Sequence, residues 1–142
     1  MPIHPDLLKS NPELFHQNAE DARIEAEQLT KDFFAATESM GLANKEISLI
    51  LGVSEPTISR AKKRDVYFSR TRHHQWLIAE LIIKTCRELT RIYDHPRKEK
   101  HWFTTYNHPL RAFPIDLIYR YEGLVQVVRH LEGREVYKKA EF

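Results

Sequence analysis

Glycine and cysteine are both scarce in this 142-residue sequence, and each shortage excludes a class of site. Four dispersed glycines cannot form the glycine-rich phosphate loops of the Walker or dinucleotide-binding types. The only cysteine, Cys86, excludes an intrachain disulfide and a structural zinc site built on two or four cysteines. No apolar run approaches the roughly 20 residues of a membrane-spanning helix. We therefore expect a cytoplasmic protein that does not associate with membranes.

Catalytic residues in a familiar arrangement are also lacking. None of the eight histidines is spaced four residues from another or combined with cysteine or acid in a known metal-ligand pattern. Cys86 falls within an apolar helical stripe, where burial raises the pKa of a thiol and makes it a poor nucleophile. We expect no enzyme activity, no metal site and no cofactor.

The charge is almost balanced over the whole chain but not along it. Lys and Arg exceed Asp and Glu by only two, which gives a net charge of +2. Residues 1–55 carry a net −6, residues 56–73 a net +5 and residues 74–142 a net +3. A basic run is often only a solvated helix face, but here it marks the segment where an anionic partner would bind.

Helical periodicity extends over most of the chain, and no segment alternates long enough to predict a strand. A first helix is expected over residues 11–40, with a buried stripe that includes Ala22 and Leu29. Further helices are expected over residues 76–93 and within residues 114–131. The sequence therefore predicts an all-α fold.

The helix predicted over residues 76–93 has an apolar stripe that is wider than one neighbouring helix needs. Ile78, Ile82 and Leu89 lie on one face, and Leu81 and Ile92 widen it. Two interpretations remain open at this point. The stripe is either the seam between two copies of the chain or the buried side of an intrachain helix.

Residues 41–60 carry the sharpest local pattern of the sequence. Ile47, Ile50 and Leu51 lie on one face of a short helix, and Ser48 is small enough to let a second helix approach closely. Gly52 follows at the position where the chain needs a left-handed backbone conformation. The pattern predicts a short helix that ends in a sharp turn.

A second short helix is predicted to begin directly after this turn. Because Pro56 has no N–H, we expect the Ser54 hydroxyl to cap the helix by accepting from the Thr57 N–H. Val53 and Ile58 have the spacing of a hydrophobic staple. This is the layout of a helix-turn-helix, whose second helix enters the DNA major groove by its N-terminal end. A purely structural helical hairpin is the alternative interpretation.

The stretch resembles the helix-turn-helix of Xre-type repressors in its Gly-Val-Ser turn and its Thr-Ile-Ser-Arg sequence. The resemblance implies that Thr57, Ser59 and Arg60 face the bases and that Asn44 holds a phosphate. Three basic residues that follow are expected to contact phosphates and to increase affinity without contributing to sequence specificity. They are Lys62, Lys63 and Arg64.

The sequence departs from the Xre pattern at two positions. Ala43 stands at the cap position usually held by Ser or Thr, so we expect the first helix to fray more easily. Glu55, at a DNA-binding position, stands where Gln is common; its carboxylate repels phosphate, and we expect it to read only a cytosine amino group. We therefore expect DNA binding that is weak or selective.

The C-terminal half carries a second pattern, in the order Trp, Asn-x-x-Leu, Pro-x-Asp-Leu-Ile and Gly-x-x-x-Val-x-x-x-Leu. Its residues are Trp102, Asn107, Leu110, Pro114, Asp116, Leu117, Ile118, Gly123, Val127 and Leu131. The pattern resembles the toxin-binding domain of the Xre, MbcA and ParS antitoxins, which implies that Trp102, Asn107 and Leu110 bind a toxin. For Trp102, ordinary core packing is the alternative. Residues 111–113 depart from relatives, which have a slightly longer, glycine-containing loop there.

Together the two resemblances cover roughly residues 30–136 and imply an antitoxin of a type II toxin–antitoxin system. Such a protein binds and blocks a RES-domain toxin that degrades NAD, and it represses its own operon by binding operator DNA. Family members place their C-terminal segment near the catalytic cleft of the toxin. Here that segment contributes Arg134, Tyr137, Lys138 and Lys139, for which a solvated tail is the alternative.

The expected organisation has three parts. Residues 1–29 form an acidic helical extension, residues 30–73 a helix-turn-helix domain, and residues 74–142 a small all-helical dimerisation and toxin-binding domain. Because one helix-turn-helix reads only a few base pairs, we expect a homodimer on double-stranded operator DNA. The alternative function is a stand-alone dimeric helix-turn-helix transcription regulator with no toxin partner.

Overall fold

The structure, a computed structural model, describes residues 12–134, and it describes side chains from residue 18 onward. The described part is 70% helical and contains no β-strand, so the all-α prediction is confirmed. None of its helices combines the length and apolar character that crossing a membrane requires. Along this part of the chain the helices are α1 (Pro12–Ser39), α2 (Asn44–Leu51), α3 (Glu55–Ala61), α4 (His73–Ile92), α5 (Pro96–Thr104), α6 (Pro114–Leu117) and α7 (Tyr121–Glu132).

Helix α1 is long and unbroken, but only its C-terminal part is buried. Burial begins at Ala26 and continues through Leu29 and Phe33. The prediction that Ala22 belongs to the buried stripe is wrong, because residues 18–25 are all exposed and extend past the core. The predicted division between residues 29 and 30 falls inside this continuous helix.

Helix α4 is the centre of the fold and packs against both α1 and α7. Ile82, Leu89 and Ile92 are almost completely buried within the chain. Of the two interpretations of this stripe, the buried intrachain helix is therefore confirmed. The helix begins three residues earlier than predicted, at His73.

The connection between α3 and α4 is fastened to α1 by one buried side chain. The Thr30 hydroxyl accepts from the backbone N–H groups of Tyr67 and Phe68 and donates to the Ala26 carbonyl 2.7 Å away. Phe68 is buried and its ring meets that of Phe33 edge-on, with 5.0 Å between centroids. These contacts fix the path of the chain within the basic segment, residues 56–73.

The C-terminal half contains one helix that periodicity did not predict. Helix α5 begins at Pro96, a residue suited to the first helical position, and the His95 ring caps it by accepting from the Arg97 N–H. The region predicted over residues 114–131 is two helices, α6 and α7. They meet at Gly123, where an added Cβ would lie only 2.1 Å from the Leu117 carbonyl oxygen.

Candidate functional site

The turn between α2 and α3 has the predicted geometry. Gly52 adopts a left-handed conformation with φ 69°, and the Val53 N–H donates to the Ser48 carbonyl oxygen at 3.0 Å. The Ser54 hydroxyl accepts from the Thr57 N–H at 3.3 Å, as a helix cap does. Residues 44–61 are therefore confirmed as two short helices joined by a sharp turn.

Helix α3 turns one face to the core and the other to solvent. Ile58 and Ala61 are buried, whereas Glu55, Ser59 and Arg60 are exposed. This arrangement leaves the face predicted to read DNA accessible.

Thr57, the remaining residue predicted to face bases, is half-buried, and its hydroxyl lies 2.8 Å from the Ser54 hydroxyl. One bond between two hydroxyl groups uses a single hydrogen atom, so the other hydrogen remains available to donate. The Ser54–Thr57 pair therefore caps α3 and still presents one donor beside its N-terminal end. Asn44, the first residue of α2, is half-buried, and Ala43 before it supplies no side-chain cap.

The three basic residues predicted to contact phosphates lie just beyond the C-terminal end of α3 and not within it. Helix α3 ends at Ala61, and the next residues form tight turns in which the Lys63 N–H donates to the Arg60 carbonyl and the Arg64 N–H to that of Ala61. Lys62, Lys63 and Arg64 are exposed, and none forms an ion pair with a described residue. Their charges remain available to an anionic partner.

Arg70 belongs to the same basic segment but is used within the fold. Its guanidinium pairs with Glu25 of α1 and lies over the Trp76 ring, 4.3 Å from the centroid. Within the basic segment, residues 62–64 near α3 form no ion pair with a described residue, whereas Arg70 links α1 to α4.

Two later elements lie against α2, and no local sequence signal predicts either contact. Gln75 of α4 places its side-chain nitrogen 3.5 Å from the Leu51 carbonyl oxygen, next to the turn. Burial raises the pKa of Tyr119, and the nearby carboxylates of Glu46 and Asp116 raise it further. Tyr119, in the connection between α6 and α7, therefore lies within electrostatic range of Glu46 in the first turn of α2.

The predicted toxin-binding residues come together around His130 of α7. The Trp102 ring stacks on the His130 ring with 6.0 Å between centroids and 14° between planes. The Asn107 side-chain nitrogen lies 3.3 Å from His130 Nε2, and its Oδ1 accepts from the Leu110 N–H at 3.0 Å. Arg134 is close enough to influence the pKa of His130. His130 was not among the predicted site residues.

The hydrogen bonds of Asn107 favour the neutral form of His130. Because Oδ1 is occupied by the Leu110 N–H, the amide group that faces the ring can only donate. This arrangement favours a neutral His130 ring whose hydrogen is on Nδ1 and whose Nε2 accepts. Burial lowers the pKa of His130, and the Arg134 charge lowers it further, in agreement with this neutral form.

The individual predicted residues differ in how much surface they offer. Trp102 is 7% exposed, so it packs in the core as the alternative interpretation held, whereas Asn107 and Leu110 are half-buried. Arg134 is half-buried, and Tyr137, Lys138 and Lys139 lie outside the described residues. The toxin-binding set is therefore only partly on the surface.

The end of α7 is held by Arg91 of α4. The Arg91 guanidinium donates to the Leu131 and Arg134 carbonyl oxygens at 3.0 and 3.1 Å, while its Nε donates to Glu88 at 2.7 Å. The Arg134 guanidinium lies 5.9 Å from the centroid of the Tyr93 ring. Arg91 thus fixes the point from which the chain continues beyond residue 134, a role that no local pattern predicts.

The described residues contain no group of three His, Cys, Asp or Glu side chains that could hold a metal ion. Burial raises the pKa of the Cys86 thiol, as predicted. Neither the protein-family models nor the curated proteins compared with this chain include a match. The function proposed below is therefore supported by the geometry of these residues and by the motif resemblances.

Proposed function

We propose that the protein is a type II antitoxin that binds operator DNA through α2 and α3 and binds and blocks a RES-domain, NAD-degrading toxin through its C-terminal part. The observation that carries the DNA-binding half is the exposed face of α3, which follows a Gly52 turn and a Ser54 cap. The toxin-binding half is supported by the resemblance over residues 102–131.

DNA binding is favoured by the charges that surround α3. Arg60 is suited to bidentate contact with a guanine, whereas Lys62, Lys63 and Arg64 follow at the end of the helix, where they suit phosphates. Four unpaired cations so close together have no structural use within the described fold. Glu55 at the entering end of the helix supplies selectivity, since its carboxylate can accept only from the amino groups of cytosine and adenine in the major groove.

A homodimer is part of the proposal, because two copies are needed to read two half-sites about one helical turn apart. The stripe of α4 does not provide the dimer seam, since its apolar residues are buried within the chain. Another surface of the chain must therefore form the dimer interface. We expect light scattering to show that the protein is a dimer.

The DNA-binding half is tested by fluorescence anisotropy with the DNA upstream of the operon and a random duplex of equal length. Lys63→Ala should weaken binding to both DNAs and make the slope of log K against log salt less steep by about 0.9 for each copy bound, or about 1.8 for the dimer. Arg70→Gln is the matched control, because it removes a cation of the same segment that is already paired with Glu25. An unchanged salt slope for Lys63→Ala would show that its charge does not reach DNA.

The toxin-binding half is tested by co-expression with the product of the adjacent reading frame. We expect a stable complex and restored growth, with loss of both when the chain is truncated before Gly133 while operator binding remains. If inhibition persists after truncation, the C-terminal segment does not block the toxin. If neither complex nor rescue is found with the full chain, the stand-alone transcription regulator becomes the better proposal.

A further inference from the structure

The N-terminal part of α1 extends past the core and is acidic. Residues 18–25, which we call the α1 extension, are all exposed and carry three carboxylates against one arginine. Glu20 pairs with that arginine, Arg23, at 3.7 Å, whereas Glu25 pairs with Arg70, 45 residues later. Among the described residues, the α1 extension therefore makes its one ion pair outside α1 with a cation of the basic segment.

Arg70 lies close to the helix-turn-helix, although it follows the end of α3 by nine residues. Its guanidinium lies over the Trp76 ring, 4.3 Å from the centroid. Gln75, the neighbour of Trp76 on α4, places its side-chain nitrogen 3.5 Å from the carbonyl oxygen of Leu51, the last residue of α2. Arg70 therefore packs on the same turn of α4 that contacts the turn of the helix-turn-helix.

The pair with Glu25 changes the charge of Arg70 more than it stabilises the fold. The two side chains are 57 and 51% exposed, and exposed ion pairs of this kind contribute little to stability. The buried Thr30 hydroxyl already fastens this connection to α1. Of the six basic residues between positions 56 and 73, Arg70 alone forms an ion pair with a described residue. Glu25 thus neutralises one cation of six in the segment proposed to contact DNA.

A phosphate group is the natural replacement for the Glu25 carboxylate. Both groups present oxygen acceptors that match the fork of a guanidinium. Glu25 and a DNA phosphate therefore compete for Arg70. Because each phosphate neutralised by a basic residue releases counterions, the loss of one such contact lowers the affinity for DNA of any sequence.

We propose that Arg70 is a phosphate-binding residue of the DNA-binding surface and that Glu25 keeps it from phosphates, so that the α1 extension limits the affinity for DNA. A phosphate contact carries no sequence information, so the ratio of operator affinity to random-DNA affinity is not altered. The inference rests on the proposed DNA-binding function and gives a role to a part of α1 that lies outside both motif resemblances.

The test measures binding of the full chain to the DNA upstream of the operon and to a random duplex by fluorescence anisotropy, at about 50 and about 200 mM salt. Glu25→Gln keeps the size of the side chain and removes its charge, so it should tighten binding to both DNAs. The slope of log K against log salt should become steeper by about 0.9 for each copy bound, or about 1.8 for the dimer. The gain over the wild type should then be about 12-fold larger at the lower salt concentration than at the higher one.

Two further variants separate the release of Arg70 from a change in net charge. Glu27→Gln is the matched control, because Glu27 pairs with Lys31 of the same helix and lies about 200° around α1 from Glu25. It removes the same charge and should keep the wild-type salt slope. The double variant Glu25→Gln with Arg70→Gln should lose the gain, because the released cation is then missing. All of these variants should unfold at nearly the wild-type temperature, since the pairs are exposed.

Four outcomes overturn the inference and are distinguishable. If Glu25→Gln has the wild-type salt slope, Arg70 does not reach DNA and its pair only links α1 to α4. If Glu27→Gln tightens binding equally, the overall charge of α1 acts and not the pair. If the double variant keeps the gain, Glu25 acts without Arg70. In these three cases the DNA-binding function stands, whereas a wild type that binds neither DNA removes the function and the inference together.

Discussion

The helix-turn-helix over residues 44–61 is stabilised by contacts between residues close in the sequence. The loop region, which comprises residues 105–113 and the end of α7 around His130, is stabilised by contacts between residues far apart in the sequence. In the first, the decisive bonds join near neighbours, such as Ser54 to Thr57 and Val53 to Ser48. In the second, Asn107 reaches His130 23 residues away, and Arg91 reaches the Leu131 carbonyl 40 residues away. A local unit keeps its shape from its own sequence, whereas the loop region depends on how α4, α5 and α7 pack.

The two regions also use glycine differently. Glycine is required at position 52 because the backbone there is left-handed, with φ 69°, although a Cβ would meet nothing within 4 Å. Gly123 has an ordinary conformation but no room, because a Cβ would lie 2.1 Å from the Leu117 carbonyl oxygen. The first glycine serves a turn, and the second serves the contact between α6 and α7.

Substituting these glycines gives the largest expected effect on stability. Gly123→Ala should lower the free energy of unfolding by about 3 kcal/mol, since a backbone carbonyl cannot yield as a flexible side chain does. Gly52→Ala should cost about 1 kcal/mol, the penalty of a left-handed alanine in open space. Urea denaturation followed by circular dichroism measures both. Equal losses of unfolding free energy in the two variants would mean that α6 and α7 move apart easily to accept the added methyl group. The close contact at Gly123 would then not distinguish this region from the turn at Gly52.

The next effect concerns the outer face of α3. Arg60→Ala should weaken operator binding by about 1 to 3 kcal/mol for each half-site and relax specificity at one base pair in each, because an arginine fork matches guanine. Binding of random DNA should change much less. Competition assays with single-base operator variants measure this. Equal losses on operator and random DNA would place Arg60 on a phosphate and not on a base.

A smaller effect is expected at the two helix caps of the same motif. Ser54→Ala should destabilise by about 1 kcal/mol, because the Thr57 N–H loses its acceptor. Ala43→Ser should stabilise by a similar amount, since Ala43 already has the extended backbone of a cap, with φ −81° and ψ 167°. Thermal unfolding of the two variants gives the comparison. An Ala43→Ser variant no more stable than the wild type would show that α2 does not fray at this end.

The sequence was sufficient for the helix-turn-helix because its signals are local. A glycine, a serine and a proline within five positions determine where α2 ends and α3 begins, and apolar spacing identifies Ile58 as buried. The buried interpretation of α4 needed the structure, because a wide stripe has the same pattern whether an intrachain helix or a second copy covers it.

The loop region was predicted only in part, because the contacts that stabilise it join residues far apart in the sequence. The motif resemblance selected Asn107 and Leu110 but not His130, which joins Asn107 to Trp102. Helix α5 has no clear periodic stripe, and Pro96 is ambiguous as a signal, because proline both disfavours continuation of a preceding helix and suits the first position of the next one. A partner 23 or 40 residues away leaves no local pattern to detect.

The smallest expected effect is the pH dependence that His130 brings to the loop region. Burial and Arg134 lower its pKa in the folded protein below the ordinary value of about 6.5, so the unfolded chain binds a proton more readily. The stability that the neutral ring contributes is therefore complete above about pH 6.5 and is lost as pH falls through the folded-state pKa. Protonation would also turn Nε2 into a donor facing the Asn107 amide, which itself can only donate.

His130→Gln separates this effect from the titration of other groups, because glutamine offers Asn107 an acceptor and does not titrate. Urea denaturation of both proteins between about pH 5 and 8 should show the wild type gaining stability relative to His130→Gln as pH rises. The helix-turn-helix, whose cap and turn contain no titrating group, should bind operator with the same pH dependence in both proteins. Parallel stability curves would mean that Asn107 turns its amide to follow the proton, so that the loop region adapts where we expect it to be rigid.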